Sequence, residues 1–285
     1  MINYIQHRIV LPPSIRIRQT RVLGSFNVNR DQLLVLEDAG VNHVPLWIAL
    51  QRDSTRLPSV KCYELGKWLA ALHAVSIEDL VDEPMTYQHG HRMQSIDQLK
   101  VYLADWGLPV KRLAAVRGSI ERTQTWSLGN PECIVHGDFG TSNVLIDAGN
   151  DDVDPEQTMA MVVDFENARP GKPALDIARM LSEIYLIDQS VPTGGGASRH
   201  AAFVQGYLSE RLGWTEEEKI HIIVEMGMRY LGSIMQHVAW NPKLYDVVKR
   251  MGMEWIEPGE SRTAHIQEIL TPDSGIRASN GSEGG

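Results

Sequence analysis

Asp138 and Asn143 stand five positions apart in the stretch CIVHGDFGTSNVLID, residues 133–147, and a third polar group, Asp164, follows in AMVVDFENA. A carboxylate, a carboxamide and a second carboxylate, each at the edge of an apolar run, are the groups that phosphoryl transfer asks of a protein. That reaction needs little covalent help; it needs alignment and neutralised charge. Asp138 has the chemistry to accept or orient the proton of an attacking hydroxyl. Asn143 and Asp164 offer the oxygen ligands that Mg²⁺, a hard cation, takes while it bridges phosphates. A loop of the form D-x-x-x-x-N, an apolar strand, a turn and a second apolar strand ending in Asp-Phe would bring all three to one edge. The competing reading is an incidental turn, with Asp138 as an Asx cap and Asp164 at the end of a buried strand.

The elements that must position these groups can be read from periodicity. The first forty residues are β-like: RIVL, SIRIRQTRVLG and QLLVLED are broken by Pro12-Pro13 and by the turn Asn27-Val28-Asn29-Arg30-Asp31, and the last two runs are expected to pair as a hairpin. After Gly40 the pattern turns helical. VKCYELGKWLAALHAVS places Val60, Tyr63, Leu65, Leu69 and Leu72 on one face. Ser95 with Gln98 forms a capping box ahead of IDQLKVYLADWG, which Gly107 ends, and VKRLAAVRGSIERTQTW is a further helix. CIVHGD, NVLID and AMVVDFE read as short strands, and ALDIARMLSEIYLID returns to helix. Thr215 with Glu218 caps one long apolar helix through EKIHIIVEMGMRYLGSIMQHVAW. The layout is α+β with two unequal lobes: a β-rich segment 1–40, a mostly helical region 41–270 that carries the loops, and a Ser/Gly-rich tail 271–285 expected to be disordered.

Composition narrows the classes. A net charge of −9 without a Lys/Arg block argues against nucleic acid, and 43% hydrophobic with 22% charged residues suits a soluble globular protein. No apolar run approaches the roughly 18 residues that span a bilayer, and the N-terminus lacks a signal-peptide pattern. Cys62 and Cys133 read as buried thiols of a reducing compartment, so a cytoplasmic location with no membrane partner is expected. Nothing in the pattern marks an oligomeric state. His89 and His91 do not complete a zinc set, and Gly194–Gly196 lack the Lys-Ser/Thr of a phosphate loop. Met226, Met228, Met235, Met251, Met253, Trp240 and Trp255 read as helix packing rather than an acceptor pocket, and Glu183 and Asp188 as solvated helix charges.

His136-Gly137-Asp138 and Asp164-Phe165-Glu166 stand where protein kinases carry His-Arg-Asp and Asp-Phe-Gly. The combination resembles the aminoglycoside phosphotransferase and choline kinase group of small-molecule kinases. QLLVLEDAG resembles the strand and hinge joining the lobes, LGKWLAALHAVS the first large-lobe helix with its Leu72-His73 ending, and VVDFENARPGKPALDIARML the metal loop and the helix opened by Asp176. The resemblance runs from about residue 20 to 240. It implies a protein-kinase-like two-lobe fold that moves the γ-phosphate of ATP (or GTP), with Mg²⁺, to the hydroxyl of a small-molecule acceptor. It implies Asp138 as the catalytic residue, Asn143 and Asp164 as metal ligands, and the backbone of Glu37, Asp38 and Ala39 against the nucleotide base. His136 and Asp176 are the supports of the loop.

The chain departs from that pattern ahead of the hinge. No GxGxxG precedes Leu33, and the first lysine is Lys61. The basic groups present are Arg8, Arg16, Arg18 and Arg21; alternation sets them on one polar strand face, where they read as solvated charges. A second reading therefore stays open: a reduced kinase fold without phosphotransfer, serving as a binding module or as a biosynthetic enzyme with ATP-independent chemistry.

Overall fold

The computed structural model describes residues 16–28, 31–52, 57–77, 99, 103, 106–147, 158–190, 198–234 and 242–271. It opens with β1 (Ile17–Gln19), β2 (Val22–Val28) and β3 (Asp31–Leu36), followed by β4 (His43–Pro45), α1 (Leu46–Arg52) and α2 (Leu57–His73). After α3 (Val110–Ser127) come β5 (Cys133–Val135), β6 (Val144–Asp147), β7 (Ala160–Val162) and β8 (Arg169–Gly171). Helices α4 (Ala174–Ser190), α5 (Arg199–Ser209), α6 (Glu216–Arg229), α7 (Pro242–Ile256) and α8 (Glu260–Leu270) complete it. This is a mixed α+β chain with a small β-rich beginning and a mostly helical remainder.

β2 and β3 form the expected antiparallel hairpin, with Phe26 opposite Leu33. The run SIRIRQTRVLG is not one strand, however. It breaks at Thr20, whose N–H and hydroxyl both donate to the Val162 carbonyl, at 2.8 and 3.2 Å. That contact turns β1 away from the hairpin and into a second sheet, ordered β1-β7-β6-β4, where it runs parallel to β7 with Ile17 beside Ala160. β4 and β6 pair antiparallel, as do β6 and β7. This sheet puts β6, which leaves the Asp138 loop, and β7, which leads to Asp164, into register with the N-terminal segment, while β5 pairs antiparallel with β8 in a separate sheet.

Arg16 and Arg21 are exposed, as expected, and Arg18 is half-exposed, but two of these arginines also have a carboxylate partner. Arg18 and Arg21 both pair with Glu37, Arg21 through two hydrogen bonds of 3.2 and 3.0 Å. Those guanidiniums, against the opposing effect of burial, hold the Glu37 carboxyl down at about 2. A single carboxylate at the end of β3 can gather both because the break at Thr20 brings Arg21 back beside it.

On α2 the buried face is Cys62, Leu65, Trp68, Leu69 and Leu72, whereas Tyr63 is exposed. Leu65, Leu69 and Leu72 lie on the buried face as expected, Val60 is half-buried, and Cys62 and Trp68 stand on that face in place of Tyr63. Thr215 and Glu218 make the expected capping box, with reciprocal bonds of 3.1 and 2.7 Å. The helix it opens changes character within the described residues. α6 ends at Arg229 and passes into a π-helical turn, Tyr230–Ile234. The wider turn aims the Tyr230 hydroxyl at the Ser182 carbonyl of α4 (3.1 Å) and Leu231 into a small core with Leu99 and Leu103.

Met226, Met228, Met251, Met253 and Trp255 are buried packing residues. Cys62 and Cys133 are buried free thiols, and burial pushes both thiols up from their ordinary value. Arg8, the Ser95–Gln98 capping box, His89, His91, Gly194–Gly196, Met235, Trp240 and the tail beyond Thr271 lie outside the described residues. Among the described residues no helix is long and apolar enough to cross a membrane.

Candidate functional site

β5 ends at Val135 and releases His136, Gly137 and Asp138 into a loop that closes with a 3-10 turn at Thr141–Asn143 and enters β6. Asn143 folds back across the loop: its Nδ2 donates to the Asp138 carbonyl at 2.9 Å and to Asp138 Oδ2 at 3.0 Å. That leaves Asn143 Oδ1 uncommitted to Asp138, as an oxygen ligand must be. The Asn143 carbonyl in turn accepts from Val163 N–H at 3.0 Å, which ties the residue before Asp164 to the same loop.

His136 completes the tie. Its Nε2 donates to the Val163 carbonyl (2.9 Å), and its Nδ1 accepts from Asp138 N–H (3.3 Å). Both ring nitrogens thus serve the backbone. Burial pushes the imidazole below its ordinary value despite nearby carboxylates, so it is neutral at neutral pH. This geometry suits a brace and leaves no nitrogen for proton transfer.

Asp164 has φ 65° and ψ 58° and is the one non-glycine residue with positive φ among the described residues. Aspartate tolerates this left-handed conformation better than most residues, at a cost. The result is that its carboxylate faces solvent while Phe165 turns inward. Phe165 and Phe139 both pack on Trp68 of α2, with ring centroids 6.3 and 5.4 Å away, and His136 lies 4.5 Å from Phe165. An aromatic floor therefore holds both loops from below.

Behind the loop stands Asp176 in the first turn of α4, its side chain 1% exposed. Its carboxylate accepts from the N–H groups of His136 (2.6 Å) and Gly137 (2.9 Å) and from His73 Nε2 (3.3 Å). His73 Nδ1 accepts from the Tyr207 hydroxyl at 3.0 Å, and that oxygen accepts from Arg211 at 2.8 Å. Burial alone would raise the Asp176 carboxyl; the His73 and backbone donors outweigh it and hold it below the usual carboxylate range. For His73, burial outweighs Asp176 and pushes the imidazole down. Gly137 has φ +81°, and a Cβ there would collide with the Asn167 carbonyl, so the turn after His136 requires glycine.

The structure thus gathers five of the sequence-predicted residues, Asp138, Asn143, Asp164, His136 and Asp176, around one loop. Glu37, Asp38 and Ala39 lie between β3 and β4 and connect to it through the sheet, because β4 pairs with β6. Glu37 N–H donates to the Arg21 carbonyl, and Asp38 Oδ1 accepts from Gly40 N–H. Two charges read as solvated are not. Asp188 is buried against Arg199 (3.0 Å) and His200 (2.8 Å), because α5 folds back over the end of α4. Glu183 faces the loop and accepts from Thr141 N–H and Oγ1. Arg179, unremarked in the sequence, pairs with Asp138. The signal was present: Asp176, Arg179 and Glu183 recur at i, i+3 and i+7 on α4.

A β-rich beginning, a connecting segment, a helical body and an Asp/Asn loop with a second Asp turned out beside it define the protein-kinase-like fold in its small-molecule phosphotransferase form. The chain belongs to the phosphotransferase enzyme family, whose model matches residues 33–219. Two solved structures show the fold at low identity. The GDP complex of a point mutant of aminoglycoside 2'-phosphotransferase-IIIa has a TM-score of 0.53 at 10% identity, covering 94% of this chain and 80% of that one. The wild-type GDP complex has a TM-score of 0.50 at 13% identity, covering 90% and 81%. A choline/ethanolamine kinase family protein from Mesorhizobium loti has a TM-score of 0.48 at 14% identity, covering 87% and 77%. No curated protein matches the sequence.

Proposed function

We propose that this protein is a small-molecule kinase that transfers the γ-phosphate of ATP or GTP to a hydroxyl acceptor. The observation that carries the reading is the single loop that fixes Asp138 against Asn143 and is bonded, through Val163, to the residue before Asp164. Asp138 orients the acceptor hydroxyl and takes its proton, being a quarter exposed beside a rigid backbone. Asn143 Oδ1 and the outward Asp164 carboxylate fit Mg²⁺: both are hard oxygen donors, and this ion needs few protein ligands when phosphates and water supply the rest. When bound, the ion supplies charge neutralisation at the phosphates. Glu37, Asp38 and Ala39 are assigned to offer backbone groups to the base, and the GDP of the aminoglycoside phosphotransferase complexes supports a nucleotide as the donor.

Mg²⁺-ATP and Mg²⁺-GTP should each be tested for a rise in melting temperature, which mass action demands of a ligand that binds the folded state. Asp164→Ala should abolish the shift. Asp138→Asn should keep it while turnover falls by about 10²–10⁴-fold, the range for a lost acid–base group. Absence of any shift at millimolar nucleotide, about the concentration where a weak site fills, would favour a binding module without phosphotransfer. The tying of Arg18 and Arg21 to Glu37, away from any phosphate-gripping role, is the observation on that side.

A further inference from the structure

α4 lies along the loop and meets it at three points. Asp176 takes the His136 and Gly137 N–H groups, Arg179 Nη1 pairs with Asp138 Oδ1, and Glu183 Oε2 accepts from Thr141 N–H at 2.7 Å and from its hydroxyl at 2.6 Å. Glu183 Oε1 also lies 3.6 Å from Arg179 Nε, so one carboxylate steadies both the guanidinium and the end of the loop. Gly140 makes the approach possible. A Cβ at that position would stand 2.7 Å from Arg179 Nε and 2.8 Å from Glu183 Oε1, in the space these groups occupy.

The Asp138 carboxylate is therefore held from both sides, Oδ2 by Asn143 and Oδ1 by Arg179. A carboxylate with both oxygens engaged keeps one rotamer, which is what alignment of an attacking hydroxyl requires. Arg179 stands between two carboxylates, Asp138 and Glu183, and is more than neutralised by them. A cation in that setting has little charge left for an anionic ligand.

We infer that Arg179, steadied by Glu183, is a positioning residue that fixes the Asp138 carboxylate without itself meeting nucleotide or acceptor. The inference rests on the phosphotransfer reading for its catalytic consequence, but the clamp itself does not. Full-length Arg179→Ala, Arg179→Lys and Glu183→Gln should be compared with wild type by amide hydrogen exchange, by Mg²⁺-ATP binding, and by ATP hydrolysis with water as the acceptor. Arg179→Ala should accelerate exchange over residues 138–143 while leaving the His136 and Gly137 amides protected. Glu183→Gln should do so chiefly at Thr141. In hydrolysis, Arg179→Ala should lower kcat by about 10²-fold, as for a misplaced reacting group, with KM and ATP affinity unchanged, and Arg179→Lys should restore part of it. Unaltered exchange in Arg179→Ala would overturn the clamp. A parallel loss of ATP affinity and kcat would overturn it too, by making Arg179 a phosphate contact. A wild type that neither binds nor hydrolyses Mg²⁺-ATP or Mg²⁺-GTP would refute the phosphotransfer reading, and the exchange result would still decide the clamp.

Discussion

Asp176→Ala removes the acceptor of three donors at 2.6, 2.9 and 3.3 Å: two backbone N–H groups and the His73 ring. Water cannot replace it readily, because the Asp176 side chain is 1% exposed and His136 is fully buried. An orphaned buried donor costs about 1–3 kcal/mol, so the two backbone groups alone set a loss of about 2–6 kcal/mol. Part of that is returned, since a buried carboxylate carries its own desolvation penalty. A net loss of about 4 kcal/mol is expected for Asp176→Ala. Asp176→Asn keeps the volume and one carbonyl oxygen but turns an amide NH₂ toward a donor, and should cost about 2–3 kcal/mol. Urea denaturation near pH 7 reads both as a lower midpoint at constant slope, about what a purely native-state effect requires. A loss under about 1 kcal/mol for Asp176→Ala, no more than an ordinary substitution costs, would refute the claim that this carboxylate holds the loop.

Three further outcomes follow from the same geometry. Gly137→Ala must adopt a positive φ and push against the Asn167 carbonyl, and should destabilise by about 2–4 kcal/mol in the same denaturation assay, with wild-type stability refuting the strain. Stability should fall on acidification in two stages. Buried His73 and His136 have folded pKa values below the ordinary 6.5, so the unfolded chain binds more protons and stability is lost as pH falls from about 6.5 through their folded values. The Asp176 share, from a carboxyl held below 3.8, is present above that value and is lost only under stronger acid. Melting temperatures across pH test this, and a flat profile down to about pH 5 would contradict it. Finally, Trp68→Ala takes away the floor shared by Phe139 and Phe165 and should cost about 3–5 kcal/mol, with Trp68→Phe costing less; equal losses for the two would argue against ring stacking as the support.

What could be read from the sequence was whatever depends on near neighbours. The capping box at Thr215 and Glu218 spans three residues, the hairpin pairs strands that are neighbours in the chain, and α2 and α4 declare themselves by their apolar period. The Asp138-to-Asn143 spacing belongs to the same class, because a five-residue loop can be closed by its own two side chains. Partners distant in sequence were not legible. Thr20 meets Val162 across 142 positions, and nothing in SIRIRQTRVLG announces that the strand must break there. Glu183 and Asp188 looked solvated because periodicity reports the face a charge occupies and is silent about what packs against that face. The π-turn at Tyr230 was hidden for a related reason: the hydroxyl it serves has its acceptor, Ser182, 48 positions earlier.

These failures share a direction, and it bears on how the site works. Glu183 and Asp188, expected to be solvated, are both paired, and both lie on α4. Around the loop the Asp138, Arg179 and Glu183 side chains are each about a quarter exposed, and the Asp164 carboxylate lies exposed at the tip of a left-handed turn. Burying the inner supports, Asp176, His73 and His136, while leaving the reacting carboxylates within reach of solvent is the arrangement that alignment demands, because each reacting group is then attached to backbone held by buried partners. Asp138 is fixed through Asn143 and Arg179, and its neighbours through Asp176. Asp164 is fixed through Val163, bonded on both sides, and through Phe165, which is buried on Trp68. The unfavourable φ at Asp164 is tolerable for that reason. Relaxing it would rotate Phe165 out of the aromatic floor, and burial of a phenylalanine, worth about 1.5–3 kcal/mol, is of the same size as the strain of about 1–3 kcal/mol that it offsets.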